Sequence, residues 1–227
     1  MKQLALDIGM ASGPTLASFR PGPNRAALDH LLLWLAPPVR LSRSPVPTYL
    51  WGATGSGKSH LLTAMRQALS QRGELVGWMD PSVSEPPAFN EAWSAVLIDD
   101  VDRLQALQQH VAFSWMVQAQ TADCAILVAG NAPPADLCLR EDLRTRLGWG
   151  HVFALHPLGE AERRAVLRQS ADARGIFLSD EVMDYMLSRF TRDLGNLVAL
   201  LDELDAFSLQ AQRPITVPLL KRMLDAA

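Results

Sequence analysis

Residues 48–73 read TYLWGATGSGKSHLLTAMRQALSQRG, and their order decides the fold. A short apolar run ending in aromatics reads as a strand, and eight residues rich in glycine follow it. The apolar positions then recur at helical spacing until Gly73, which reads as a C-cap. Residues 52–59, GATGSGKS, satisfy G-x-x-x-x-G-K-[ST] in full. Each position has a physical task. Gly52, Gly55 and Gly57 let the backbone curl, so that amide N–H groups form an anion nest with Thr54 and Ser56. The helix that follows adds its positive N-terminal end. Lys58 brings a point charge to the β- and γ-phosphates, Ser59 offers a hydroxyl to Mg²⁺, and His60 closes the nucleotide-contacting stretch. The bland alternative, a glycine-rich turn, does not explain why the motif falls between a strand and a helix.

Outward from the loop, further apolar runs occur at 75–80, 95–100, 124–130 and 151–155, with helical patterns between them. Continuous apolar strands alternating with helices predict a parallel sheet covered on both faces, an α/β fold. The run AVLIDD ends in two carboxylates. Asp99 is placed to hold Mg²⁺ through its water shell, and Asp100 to orient or deprotonate an attacking water. Without the glycine loop, two solvated acids at a strand end would be the better reading. Asn131 ends the next strand and is a candidate to hold that water against the γ-phosphate. A turn-initiating Asn before Pro133-Pro134 reads almost as well.

Upstream, residues 9–24 are rich in Gly, Pro and Ser and read as a linker, and a helix is expected from Asn24 to the Pro37-Pro38 stop. After Pro157 the strand signals cease. Helices are expected at 160–174, 180–190, 193–212 and 217–226, forming a small lid. The expected organisation is an arm at 1–14, a nucleotide-binding domain at 15–157 and a lid at 158–227. Trp51 and Trp78 are expected in the core, and Trp149 packed at the turn of RLGWG.

The 227 residues carry a net charge of −3 with no basic stripe, which disfavours strong direct DNA binding. No apolar run is long enough for a membrane helix or continuous enough for a signal peptide. Two cysteines, Cys124 and Cys138, fit reduced thiols, and a cytoplasmic location is expected.

The succession of phosphate loop, LIDD, AGNAPPADL, RTRLGWG and an all-helical lid resembles the AAA+ module of the bacterial replication initiator DnaA. The stop at Ala227, where that family continues into a helix-turn-helix domain, and the ending LDELDAFSLQAQRPITVPLLKRMLDAA are similar to the Hda family of DnaA regulators. The resemblance implies bound ADP or ATP with Mg²⁺, and an adenine pocket near Asn24. It implies that Arg146 is an arginine finger acting in trans on DnaA, with Arg144 the weaker candidate; from spacing alone a helix-end salt bridge would be the better reading. It also implies that Gln3, Leu4, Leu6 and Ile8 bind the sliding clamp, the β subunit of DNA polymerase III. On this reading the protein, with DNA-loaded clamp, stimulates ATP hydrolysis by DnaA. Edge-to-edge contact between AAA+ domains leaves a homodimer open. One departure stands out. The lid arginine expected at the start of the helix is Gly195, and Arg192 lies three residues earlier, which puts strong intrinsic hydrolysis in doubt. An autonomous ATPase that loads or remodels another replication protein, and an initiator paralogue acting without a clamp, are the competing readings.

Overall fold

The computed structural model describes residues 14–35, 44–190 and 194–226, which fall into two compact units meeting in sequence at Pro157 and Leu158. The first unit holds a five-stranded parallel sheet. Its strands are β1 (Thr48–Trp51), β2 (Leu75–Met79), β3 (Trp93–Ile98), β4 (Ala125–Gly130) and β5 (His151–Ala154). Their spatial order is β2-β3-β4-β1-β5. Trp51 is therefore flanked by Gly130 on one side and Ala154 on the other. The chain leaves β1 for the far edge, returns through β3 and β4, then crosses β1 to lay down β5. The carboxyl end of β1 lies where the strand order reverses, which is where open α/β sheets form their ligand crevice.

The side chains of consecutive strand residues point to opposite faces, and this sorts the core into two layers. Leu50, Ala95, Leu97, Leu127 and Ala129 pack with α1 (Arg25–Leu35) and α2 (Lys58–Gln71). Tyr49, Val96, Ile98, Ile126 and Val128 pack with α3 (Ala106–Thr121) and α4 (Glu141–Trp149). The central strands β3 and β4 are buried on both faces, which is why their sequences run apolar without alternation. The expected parallel sheet and covering helices are thus found. The α2 helix ends at a left-handed Gly73, φ +75°, as its sequence suggested.

The second unit is helical: α5 (Glu160–Asp172), α6 (Asp180–Arg189), α7 (Leu194–Ala211) and α8 (Val217–Ala226). Val182, Met183 and Met186 of α6 meet Leu197, Leu201 and Leu204 of α7 and Leu219 and Leu220 of α8 in its core. The Ser179 hydroxyl caps α6 by accepting from the Val182 N–H.

Candidate functional site

The phosphate loop joins β1 to α2 and depends on two glycines for different reasons. A Cβ on Gly52 would lie 2.1 Å from the carbonyl oxygen of Leu155, so the neighbouring strand end leaves no room for any side chain. Gly57 is the N-cap of α2 at φ +97°, and a Cβ there would meet the Phe19 ring at 2.7 Å. Lys58, only 5% exposed, folds back so that Nζ donates to the carbonyls of Gly52 at 2.7 Å and Ala53 at 3.2 Å. The ammonium group is thereby held across the mouth of the loop. Ser56 is buried, and its hydroxyl has no hydrogen-bond partner. A buried polar atom without a partner costs free energy unless a ligand satisfies it. The curled loop, the held ammonium, the helix N-terminus and this orphaned hydroxyl fit a phosphate chain of ADP or ATP.

Asp99 follows β3 and is 7% exposed. Burial holds its carboxyl above the usual carboxylate range, the hydrogen bond with Ser59 counteracts, and the neighbouring Asp100 charge adds to the rise. A Ser hydroxyl touching a buried carboxylate is a donor pair suited to a hard cation that keeps most of its water. Among the described residues there is no cluster of three or more His, Cys, Asp or Glu that could hold a metal. Any Mg²⁺ here would rely on Ser59, Asp99 and the phosphates themselves.

The other expected catalytic residues are placed less simply. Asp100 adopts a left-handed conformation, φ 47°, and pairs with Arg103 at 3.3 Å. Asn131 does lie at the tip of β4, but both its backbone N–H and its Nδ2 donate to the Asp102 carboxylate, each at 2.9 Å. The amide expected to hold the water therefore has a carboxylate partner that the sequence did not reveal. The Tyr49 hydroxyl, on the adjacent strand, donates to Ala132 O at 2.7 Å, and burial together with the Asp102 charge pushes its pKa up.

Asn24 is buried, and its side chain pairs reciprocally with His156. Its Nδ2 donates to His156 O and its Oδ1 accepts from His156 N, both at 2.8 Å. Its amide is occupied in tying the segment before α1 to the segment after β5. His60 is likewise engaged. Its Nε2 donates to Thr15 O at 3.0 Å and lies 3.3 Å from the Ser18 hydroxyl, and its ring stands 5.7 Å from that of Phe19. Residues 15–19 are thus fastened to the first turn of α2. The sequence suggested a linker here, because the contacts that order it lie some 42 to 45 positions away.

Arg146 lies on α4. Its Nη1 donates to Gln120 Oε1 at 2.6 Å, and its guanidinium carbon stands 5.2 Å from the centre of the Phe113 ring. It lines an open groove of about 900 Å³ with Phe113, Arg140, Glu141, Asp142, Thr145 and Trp149. Trp149 does not pack at a turn: it is 64% exposed. The RLGW stretch is helical, Leu143 and Leu147 take the buried face, and Trp149 lies about 200° round from Leu147. Trp51 and Trp78, expected in the core, are partly buried against the two layers. The remaining expected site residues, Gln3, Leu4, Leu6, Ile8 and Arg192, lie outside the described residues.

Comparison with known proteins adds two findings. Residues 160–224 match the family model described as the Hda lid domain. The fold is similar to domain III of the Thermotoga maritima replication initiation protein DnaA, at 20% identity and a TM-score of 0.74, covering 93% of this chain and 95% of that one. It is similar to AMPPCP-bound DnaA from Aquifex aeolicus, at 21% identity and a TM-score of 0.67, covering 85% of this chain and 65% of that one. It is also similar to a Thermotoga maritima RuvB mutant, at 15% identity and a TM-score of 0.63, covering 94% and 72%. The chain spans about two thirds of the length of the AMPPCP-bound DnaA structures it resembles.

Sheet order, phosphate loop and helical second unit define an α/β fold similar to that of the DnaA and RuvB structures. Its helical second unit is similar over residues 160–224 to the Hda lid domain, and its fold to that of DnaA domain III.

Proposed function

We propose that this protein is a regulator of DnaA that holds an adenine nucleotide and stimulates hydrolysis of DnaA-bound ATP when seated on DNA-loaded sliding clamp. The observation that carries the reading is Arg146, a half-buried cationic side chain that lines a groove beside the solvent-facing Trp149, on a unit with a complete phosphate loop followed by an Hda-type lid. A guanidinium at a protein surface can meet the charge that develops on a transferring phosphoryl group of a second molecule. In this reading Gly52–Ser59 bind the protein's own nucleotide, and Lys58 neutralises its phosphates. Ser59 and Asp99 would hold Mg²⁺, which supplies further charge neutralisation there. The N-terminal Gln3, Leu4, Leu6 and Ile8 would bind the clamp β subunit as a short anchored peptide.

The test follows labelled ATP on DnaA with and without DNA-loaded clamp. Decay should accelerate only when clamp and this protein are both present. Arg146→Ala should lower the acceleration by about 10²- to 10³-fold, as removal of a charge-stabilising donor does. Deleting residues 1–8 should abolish clamp binding, and unchanged binding would remove the role assigned to the arm.

A second reading, an autonomous ATPase, is favoured by the Ser59–Asp99 pair and the complete phosphate loop. Against it stand Gly195 at the expected lid arginine and the capture of the Asn131 amide by Asp102. Sustained ATP turnover by the isolated protein would favour this second reading.

A further inference from the structure

The groove on α4 holds two arginines over one aromatic ring, and their partners differ in charge. Arg140 stands 5.8 Å from the Phe113 ring centre, forms an ion pair with Asp142 at 2.7 Å, and lies 3.0 Å from His110 Nδ1. Its charge is compensated locally. Arg146 lies over the same ring, but its hydrogen-bond partner is the neutral amide of Gln120, from the last turn of α3. Among the described residues, no carboxylate lies within ion-pair distance of Arg146.

An arginine side chain has several rotatable bonds, and free rotation disperses its charge over a wide volume. The Phe113 ring beneath the guanidinium and the Gln120 carbonyl oxygen that accepts from Nη1 restrain it from two sides. A carboxylate would restrain it as well. It would also offset the charge that must meet a phosphoryl oxygen, and it would compete with that oxygen for the same N–H groups. A neutral acceptor orients without quenching.

We propose that Gln120 is a positioning residue for Arg146, presenting the guanidinium at the groove with no carboxylate of the described residues paired to it, so that its N–H groups can meet an anionic group on a partner. The proposal rests on Arg146 acting in trans as described above.

The experiment measures single-turnover decay of DnaA-bound labelled ATP on DNA-loaded clamp, while the concentration of this protein is varied. That separates the plateau rate from the half-saturating concentration. Gln120→Glu keeps the reach and adds a charge; its plateau should fall about tenfold, with the half-saturating concentration unchanged. Raising the salt should restore part of that loss, because the Arg146–carboxylate attraction is screened at a half-exposed site. Gln120→Met keeps the length and removes the acceptor; its plateau should fall about threefold, without the salt recovery. A role confined to stability would give neither the order Glu below Met below wild type nor the salt dependence. Unfolding midpoints from tryptophan fluorescence show that each variant is folded. If Arg146→Ala collapses the plateau while both Gln120 variants retain it, the positioning role is overturned and the finger stands. If the Gln120 variants raise the half-saturating concentration at constant plateau, Gln120 is a binding contact and the proposal fails. If Arg146→Ala itself leaves the plateau intact, the functional reading fails first.

Discussion

Replacing Gly57 by alanine tests the phosphate loop and the segment packed on it together. Gly57 sits at φ +97°, where a residue with a Cβ loses about 1–2 kcal/mol relative to glycine. The new methyl would also lie 2.7 Å from Phe19 Cε2. That ring cannot swing away freely, because it is 8% exposed and belongs to the layer containing Leu28, Leu61 and Leu155. Forcing a methyl into such a place typically adds about 1–3 kcal/mol. Together the penalty is about 2–5 kcal/mol, a large share of the stability of an ordinary domain. All six tryptophans lie between positions 34 and 149, so intrinsic fluorescence in a urea titration reports the nucleotide-binding unit alone. Phe19→Leu shortens the obstructing side chain and leaves the backbone penalty in place. A double-mutant cycle between the two should therefore show a coupling of about 1 kcal/mol, with the double variant more stable than the sum of single losses implies. Nucleotide affinity, measured by calorimetry, should fall in Gly57→Ala and remain low in the double variant, because the loop conformation is still wrong. If Gly57→Ala unfolds within about 0.5 kcal/mol of wild type, neither the steric contact nor the left-handed requirement governs this turn. A coupling indistinguishable from zero would refute the steric half alone.

Ser56→Ala removes a buried hydroxyl that has no partner, so it should leave the urea midpoint unchanged or slightly raised, while nucleotide affinity falls by about three- to tenfold; a large loss of stability would mean that the hydroxyl is satisfied in solution. His30 and His60 are both held below the ordinary histidine range, chiefly by burial. The nearby His151 charge deepens the effect at His30, and the Thr15 carbonyl partly opposes it at His60. Because their folded-state pKa values are depressed, the stability they contribute is complete above about pH 6.5, the unfolded value. It is lost as the pH falls from there through the folded values. The fluorescence-detected urea midpoint should therefore drop between about pH 7 and about pH 5, and the slope should be smaller in His60→Gln; a midpoint independent of pH across that interval would contradict the burial of these rings.

What the sequence disclosed and what it hid divide along physical lines. The loop from Gly52 to Ser59 was legible because a tight turn between a strand and a helix places fixed backbone demands on contiguous residues. The strands were legible because β3 and β4 are buried on both faces and can tolerate only apolar side chains. The two faces of the sheet then followed from alternation. Phe19, Asp102 and Gln120 were not legible, because each acts on a residue far along the chain: Phe19 on Gly57, Asp102 on Asn131, Gln120 on Arg146. Nothing in local spacing marks such a partner. Trp149 was misplaced because a large aromatic beside glycines suggests a packed turn, whereas the helix continues through it and its phase points the ring outward.

The reciprocal pair between Asn24 and His156 brings the chain's way in and way out of the nucleotide-binding unit to one spot, 132 positions apart in sequence. Two short hydrogen bonds therefore act as a pin through both ends of a closed loop. Tension applied from the C-terminal flank loads that pin before it can peel β5 away from β1. The same closure makes this unit suited to circular permutation: joining its ends and opening the chain elsewhere would leave the phosphate loop and the groove beside Arg146 in place.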